Sequence, residues 1–447
     1  MEQLEKWHPD NLPSVTTLAA SWLRALANRR FRGLLLVWAG GPIGVLYLWR
    51  GVVQPVLFGT SQSDLQESYM RAAGRMAAGL DPYDLCQTLG CLEPTGPQYV
   101  TPPLLAWLLQ PAVGVDSRVL GIVIVIVLNA SLAVFLWCTL RALKVGDWQL
   151  AALLVLVAVS FEPVTGNIDE GQVNLVLLAL SGVWLWAWVD GAWWGGAALA
   201  AAVTLKLIQA PVGLLLLLRK KWSMLAAAML TGLGLSLLAA PQYLSEYLFK
   251  VLPAINAGTG FFENHSPGGT VTRLLEPDTF LGGVRGSPPA AQVITLIIAV
   301  AALAVTLWVL RSPVTGATGR SLEAAAIVAM TPLVTSYSWG THLVLLLLPM
   351  LVVIAWAVRR RNWTALALVA AGDLLISPAH HWLGTLLAAG YSNVVVIRLM
   401  AEFGVAGVLL IWIASLLAIQ RERSAFELRP RREAVQNTRQ DASAFSK

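Results

Sequence analysis

Apolar residues run through this chain in helix-length blocks separated by short polar or basic breaks. A block of about 20 residues is what a helix needs to cross the hydrocarbon core of a bilayer. The pattern predicts membrane helices at Gly33–Phe58, Val119–Leu143, Leu150–Phe161, Val173–Val189, Met224–Ala240 and Ala290–Leu310. Further blocks are Leu322–Thr335, Leu343–Val358, Trp363–Ile376 and Ile397–Ile419. Pro102–Val115 is short and bounded by proline, so it crosses, re-enters or lies on the surface. Ala192–Leu218 is long but interrupted by Lys206, Gln209 and Pro211, and the missing proline N–H predicts a broken helix. The total comes to about twelve crossings. Between the first two blocks, Leu65–Gly79 has helical spacing with Met70, Ala73 and Ala77 on one face. That reads as an amphipathic helix lying on the membrane.

Composition agrees: 57% of the 447 residues are hydrophobic and 13% charged, too few polar groups to cover a soluble domain. Many of the 19 tryptophans stand near block ends, where their rings suit the interface. The net charge of +6 sits at Arg24–Arg32, Arg219–Lys221, Arg359–Arg361 and Arg421–Arg432. Basic breaks between apolar blocks are the positive-inside pattern, not a nucleic-acid footprint. Residues 1–32 and 420–447 are then cytoplasmic, the second as a disordered tail. Residues 33–419 form the membrane domain, with outer loops at 59–101 and 241–289. If Pro102–Val115 does not cross, Glu162–Gln172 also falls outside; the charge rule favours this arrangement. The N-terminus lacks a cleavable signal pattern. Cys138 lies in an apolar block, while Cys86 and Cys91 in the first outer loop stand where a local disulfide could form.

Ionisable residues in or beside membrane helices are costly and mark candidate sites. Asp64 follows the first block within a few residues, where a carboxylate could act as a general base, and Glu67 lies one turn on. Lys206 lies mid-block, too deep to reach water easily, and suits either a phosphate or a buried structural pair. Glu162, Asp169 and Glu170 bracket a turn-rich loop. His265 belongs to the loop Phe261–Gly269, and His342 opens an apolar block after Ser336–Thr341. There is no Gly-rich phosphate loop, serine-protease pattern or HExxH, which argues against an ATP-driven pump, a serine hydrolase and a zinc protease.

Five segments in order carry a family resemblance. They are Asp64 with Tyr69 and Gly79–Tyr83, Tyr99–Leu104, Glu162–Pro163 with Gly171–Asn174, Leu205–Leu207 before Pro211, and Ser338–Trp339 before His342. Together they resemble glycosyltransferase family 87 (GT87), a branch of the GT-C glycosyltransferases that includes polyprenyl-phosphate-mannose-dependent mannosyltransferases. The resemblance implies an all-α polytopic GT-C fold, a polyprenyl-phosphate sugar donor (mannose foremost), a lipid or glycan acceptor, and inversion at the anomeric carbon. It implies no cofactor and no metal, and places the chain in a bacterial plasma membrane with its site on the non-cytoplasmic side. Asp64 is then the base, and Lys206 and His342 stabilise the leaving phosphate. Glu67, Glu162, Gln172, Asn174, Gln209 and His265 are the substrate-binding candidates. The family's acid stands four residues before the tyrosine, whereas Asp64 stands five before Tyr69. A local one-residue insertion would rescue Asp64; otherwise Glu67 takes its place. The alternatives are an arabinosyl or glucosyl transferase, a flippase of lipid-linked saccharide, and an inactive member that serves assembly.

Overall fold

The computed structural model describes residues 28–59, 62–83, 99–281, 286–391 and 395–444. Cys86, Cys91 and most of the N-terminal segment 1–32 lie outside them. Among the described residues the fold is all-helical.

Among the described residues six helices are long and apolar enough to cross a membrane: Leu36–Phe58, Ser117–Ala142, Pro289–Leu310, Gly340–Arg360, Trp363–Leu387 and Val395–Ala425. Two bent pairs, Trp148–Ser160 with Glu162–Glu170 (49°) and Trp222–Leu238 with Pro241–Asn256 (99°), raise the count to eight if each is one span. The expected twelve is therefore not reached by length and composition. Asn174–Asp190, Gly195–Leu205 and Leu207–Leu218 are apolar but shorter. Pro103–Leu109 and the single 3-10 turn Gln110–Ala112 extend about 15 Å, half the hydrocarbon thickness, so this segment does not cross by itself.

The outer helices are apolar on faces that no other described part of the chain covers. Val37, Trp38, Leu296 and Ile297 are all more than 60% exposed, which suits lipid and not water. Gly340–Arg360 is the reverse, with 94% of its most apolar stretch buried. It forms the central post with Gly316–Val334, whose residues from Ser321 to Leu333 are all buried. Where Trp363–Ala388 crosses Phe403–Ala444, a Cβ on Gly372 would lie 3.0 Å from the Gly407 carbonyl, and one on Gly407 2.7 Å from the Gly372 carbonyl. Only two glycines allow backbones to approach so closely.

Helix ends follow local chemistry. Asp116 and Asp147 accept first-turn N–H groups at the starts of Ser117–Ala142 and Trp148–Ser160. The Ala192–Leu218 block is broken, as expected, with the break at Lys206, whose backbone is extended (φ −159°, ψ 122°). Pro211 lies five residues on, inside a 3-10 segment. Two expectations are not met. Glu162–Glu170 is a helix, not a turn-rich loop: Pro163 suits its first turn and Gly171 ends it in the left-handed region (φ +69°). Residues 64–77 are helical, but the face they bury is Leu65, Tyr69, Ala72, Ala73 and Met76, packed on the protein core. Ala77 is exposed and Met70 only half-buried. The helix from Phe403 continues to Ala444.

Candidate active site

Residues Asp64–Met70 form a π-helical turn, which continues as the α-helix Arg71–Ala77. A π-turn inserts one residue into helical register and brings positions i and i+5 onto one face. Asp64 and Tyr69, five residues apart, are such a pair. Both side chains reach the same amide: Gln172 Nε2 donates to Asp64 Oδ2, and Tyr69 OH donates to Gln172 Oε1 at 2.7 Å. Glu67 points elsewhere and is exposed.

Tyrosines of the neighbouring motifs hold Tyr69 in place. Its ring meets Tyr99 edge-on at 6.4 Å, and Tyr99 stacks on Tyr83 at 5.5 Å. Tyr99 OH donates to Pro102 O at 2.6 Å and accepts from the Ala106 N–H at 3.0 Å, while Tyr83 OH donates to Thr101 O at 2.9 Å. Burial, with the nearby Asp64 charge second, pushes the Tyr69 phenol above its ordinary range and keeps it a neutral donor.

Gly171 and Gln172 close the Glu162–Glu170 helix through Gly171 N–H to Ile168 O and Gln172 N–H to Asn167 O. Asn167 donates to Thr341 O at 2.8 Å, which ties this helix to the segment carrying His342. A Cβ on Gly171 would lie 2.7 Å from Leu65 Cβ, so the two backbones touch beside the Asp64–Gln172 bond.

Lys206 comes from the broken helix. Its ammonium donates to Asn174 Oδ1 at 3.0 Å and Gln172 Oε1 at 3.4 Å. Among the described residues its partners are these amides. Its charge is therefore not consumed by a carboxylate and is available to a phosphate. The Asp64 carboxyl is pushed up to about 6, chiefly by burial and further by Glu67; the Lys206 charge and a hydrogen bond from Glu170 oppose this. A hydrogen bond between two carboxyl groups holds one proton between them.

His342 is buried, and its Nδ1 accepts the Trp339 N–H at 3.3 Å. The neutral ring then carries its proton on Nε2, which has no partner among the described residues. Tyr337 lies 5.9 Å from this ring, and its hydroxyl accepts from Trp339 Nε1. Burial pushes the Tyr337 phenol up, with the Asp64 and Glu263 charges contributing. Asn264 fixes this wall by donating to Thr259 O (2.8 Å) and Ser336 O (3.2 Å) and accepting from the Ser338 N–H (2.9 Å). Asp64, Glu170, Lys206, Glu263, Tyr337 and Trp339 are each half-buried, as groups lining an opening are.

Three candidates fall outside this cluster. Gln209 is buried and donates to Ser181 Oγ at 2.9 Å. Ser181 lies two helical turns beyond Asn174, so Gln209 packs two helices together. His265 is buried beside Gly404 with Nδ1 3.3 Å from Ala401 O, and its backbone N–H bonds Ser338 O in the site loop. Glu162 sits at the far end of its short helix, 4.0 Å from Arg50. Tyr337, Glu263 and Asn264 are not singled out by the sequence, which marks Glu170 only as one of three carboxylates beside a loop.

The long apolar helices are those of a multi-pass membrane protein. The family model for glycosyltransferase family 87 matches residues 99–336, more than half of the chain, and the chain belongs to that family. A curated relative is the polyprenol-phosphate-mannose-dependent alpha-(1-2)-phosphatidylinositol mannoside mannosyltransferase of Mycolicibacterium smegmatis. It is 28% identical over 244 residues, which are 50% of this chain and 51% of the relative. The aligned stretch thus spans about half the length of that relative. Gln172, Asn174 and Lys206 lie inside the family match; Asp64 and His342 lie outside it and join the cluster through tertiary contacts.

Proposed function

We propose that the chain transfers a sugar, mannose foremost, from a polyprenyl-phosphate donor to a hydroxyl of a lipid or glycan acceptor, with inversion at the anomeric carbon. The observation that carries this reading is that Asp64 and Lys206, 142 residues apart, both bond Gln172. A base and a cation that makes no ion pair among the described residues, held on one amide, suit one base-assisted displacement from a phosphate leaving group. The acceptor oxygen attacks C1, its proton passes to Asp64, and the C1–O bond to phosphate breaks. Polyprenyl phosphate leaves already ionised, so it needs charge stabilisation more than a proton. Lys206 and the Nε2–H of His342 supply that stabilisation. Phe261, Tyr337 and Trp339, whose rings pack together, offer aromatic faces for the sugar.

The Asp64 end faces away from the cytoplasm in a bacterial plasma membrane. In support, Gly340–Arg360 has His342 at one end and the basic residues Arg359 and Arg360 at the other. Purified protein is supplied with labelled polyprenyl-phosphate hexoses and pentoses, and released lipid phosphate is followed. Asp64→Asn keeps size and hydrogen bonding but removes basicity; its rate falls by about 10²–10⁴-fold while donor binding survives. Glu67→Gln stays close to wild type. An active Asp64→Asn beside a dead Glu67→Gln would move the base to Glu67. A pentose or glucose donor outrunning mannose would change the sugar and leave the mechanism standing.

A further inference from the structure

The opposite end of the fold carries a polar site that sugar transfer does not use. Helix Asn174–Asp190 starts at the Gln172–Lys206 cluster and ends 17 residues later, about 25 Å away at 1.5 Å per residue. There a cavity of about 380 Å³ opens between Trp188, Arg219, Lys221, Gly316, Arg320 and Glu323. Arg219 is committed within it: Nε and Nη2 bind Glu323 Oε1 at 3.1 and 2.6 Å, and Nη2 also binds Leu310 O at 2.6 Å. That carboxylate oxygen accepts the Val314 N–H at 3.0 Å as well. Glu323 is thus neutralised by Arg219 and unavailable to the other two cations.

Lys221 and Arg320 are half-buried, and among the described residues neither side chain has an ion-pair or hydrogen-bond partner. Arg320 Nε is closed off from solvent with no acceptor. The helix Gly316–Val334 begins at the same cavity. Its N-cap Thr315 makes no capping bond, and no acid stands in its first turn. Cations taken from water without a counter-ion are costly, and a bare helix N-terminus adds positive potential beside them. Trp193 and Trp222, 63% and 61% exposed, stand next to this end as interfacial rings do.

We infer that this cavity is a second site, which binds a phosphate group through Lys221, Arg320 and the first-turn amides of Gly316–Val334. The phosphate belongs to an anionic phospholipid headgroup or to a water-soluble phosphate ester. The site is independent of the reaction proposed at Asp64.

The test uses the full chain in detergent micelles and measures retention of radiolabelled phosphatidylglycerol against phosphatidylcholine, with glycerol 3-phosphate as competitor. Phosphatidylglycerol is held saturably and phosphatidylcholine is not. Each lost charge weakens binding about fivefold, so Lys221→Gln with Arg320→Gln weakens it roughly 25-fold, and Lys221→Arg binds as wild type does. Competition by glycerol 3-phosphate assigns the site to soluble phosphate esters, and lack of competition assigns it to the lipid headgroup. Should the double variant elute as aggregate, Lys221→Gln alone carries the test, since its side chain holds no structural partner. Equal retention by wild type and variant, or equal retention of the two lipids, overturns the inference.

Discussion

Replacing Gly171 by alanine probes the point where the two halves of the site touch. The backbone there has φ +69°, a left-handed conformation that costs an L-residue about 1–2 kcal/mol. The new Cβ would stand 2.7 Å from Leu65 Cβ and 3.5 Å from Gln62 Cβ. Both neighbours are fixed to backbone and cannot rotate away. Carbon atoms settle at about 3.5–4.0 Å, so segment 62–65 must retreat by about 1 Å, an overpacking worth about 1–3 kcal/mol. The sum is about 2–5 kcal/mol of lost stability. The displacement falls between Asp64 and Gln172, and a misplacement of about 1 Å costs on the order of 10²-fold in rate. Gly79 provides the control: its φ is +72°, yet nothing lies within 4 Å of its would-be Cβ. Gly79→Ala therefore loses only the left-handed term, about 1–2 kcal/mol, and keeps its rate. Thermal unfolding in detergent and transfer of labelled sugar read the two effects separately. A Gly171→Ala protein as stable and as fast as Gly79→Ala would refute the close contact and the role given to it.

Three other outcomes are expected. Asp64 works ionised, and its carboxyl sits at about 6, so transfer falls as pH drops through 6 and is level above about 7; a pH–rate profile flat down to pH 5 would exclude Asp64 as the titrating base. Lys206→Met leaves the Asn174 and Gln172 oxygens without their cation and weakens donor binding more than acceptor binding; unchanged donor affinity in equilibrium titration would return Lys206 to a structural role. Arg273→Met unpairs Glu402 and strips donors from Phe261 O and Asn264 O, which costs about 3–5 kcal/mol and is read as a lowered thermal midpoint with a disturbed 261–264 loop.

Much of the helical framework was legible in the chain because burial in lipid and burial in a core both demand apolar residues at helical spacing. Ser117–Ala142, Trp148–Ser160, Asn174–Asp190 and Pro289–Leu310 lie within two or three residues of their predicted blocks. The break at Lys206 was legible too, since a lysine, a glutamine and a proline within one apolar block contradict an unbroken helix. The same physics hid the number of crossings: an apolar run does not say whether its surroundings are lipid or protein. Gly340–Arg360 is almost wholly enclosed, while Leu36–Phe58 is almost wholly exposed.

Individual site assignments needed the third dimension. Sequence marked Asp64, Lys206, Gln172, Asn174 and His342 as groups worth explaining, by charge, position or motif. It marked Gln209 and His265 in the same way, and these turn inward to Ser181 and the Gly404 backbone. Polarity within an apolar context states that a partner must exist, without saying which one. The setting of Glu170 stayed hidden because the seven residues between Pro163 and Gly171, with Thr165, Gly166, Asn167 and Asp169 among them, read as a turn, whereas packing against the Gly340–Leu346 segment makes them a helix. That Asp64 and Tyr69 both reach Gln172 rests on a π-turn, a feature that composition and periodicity do not encode. The chain alone determined that its apolar blocks form membrane helices and where they break, because those depend on local hydropathy and backbone chemistry. Which polar side chains meet was decided only when Gly171 let two distant backbones touch, because such meetings depend on contacts between segments about a hundred residues apart.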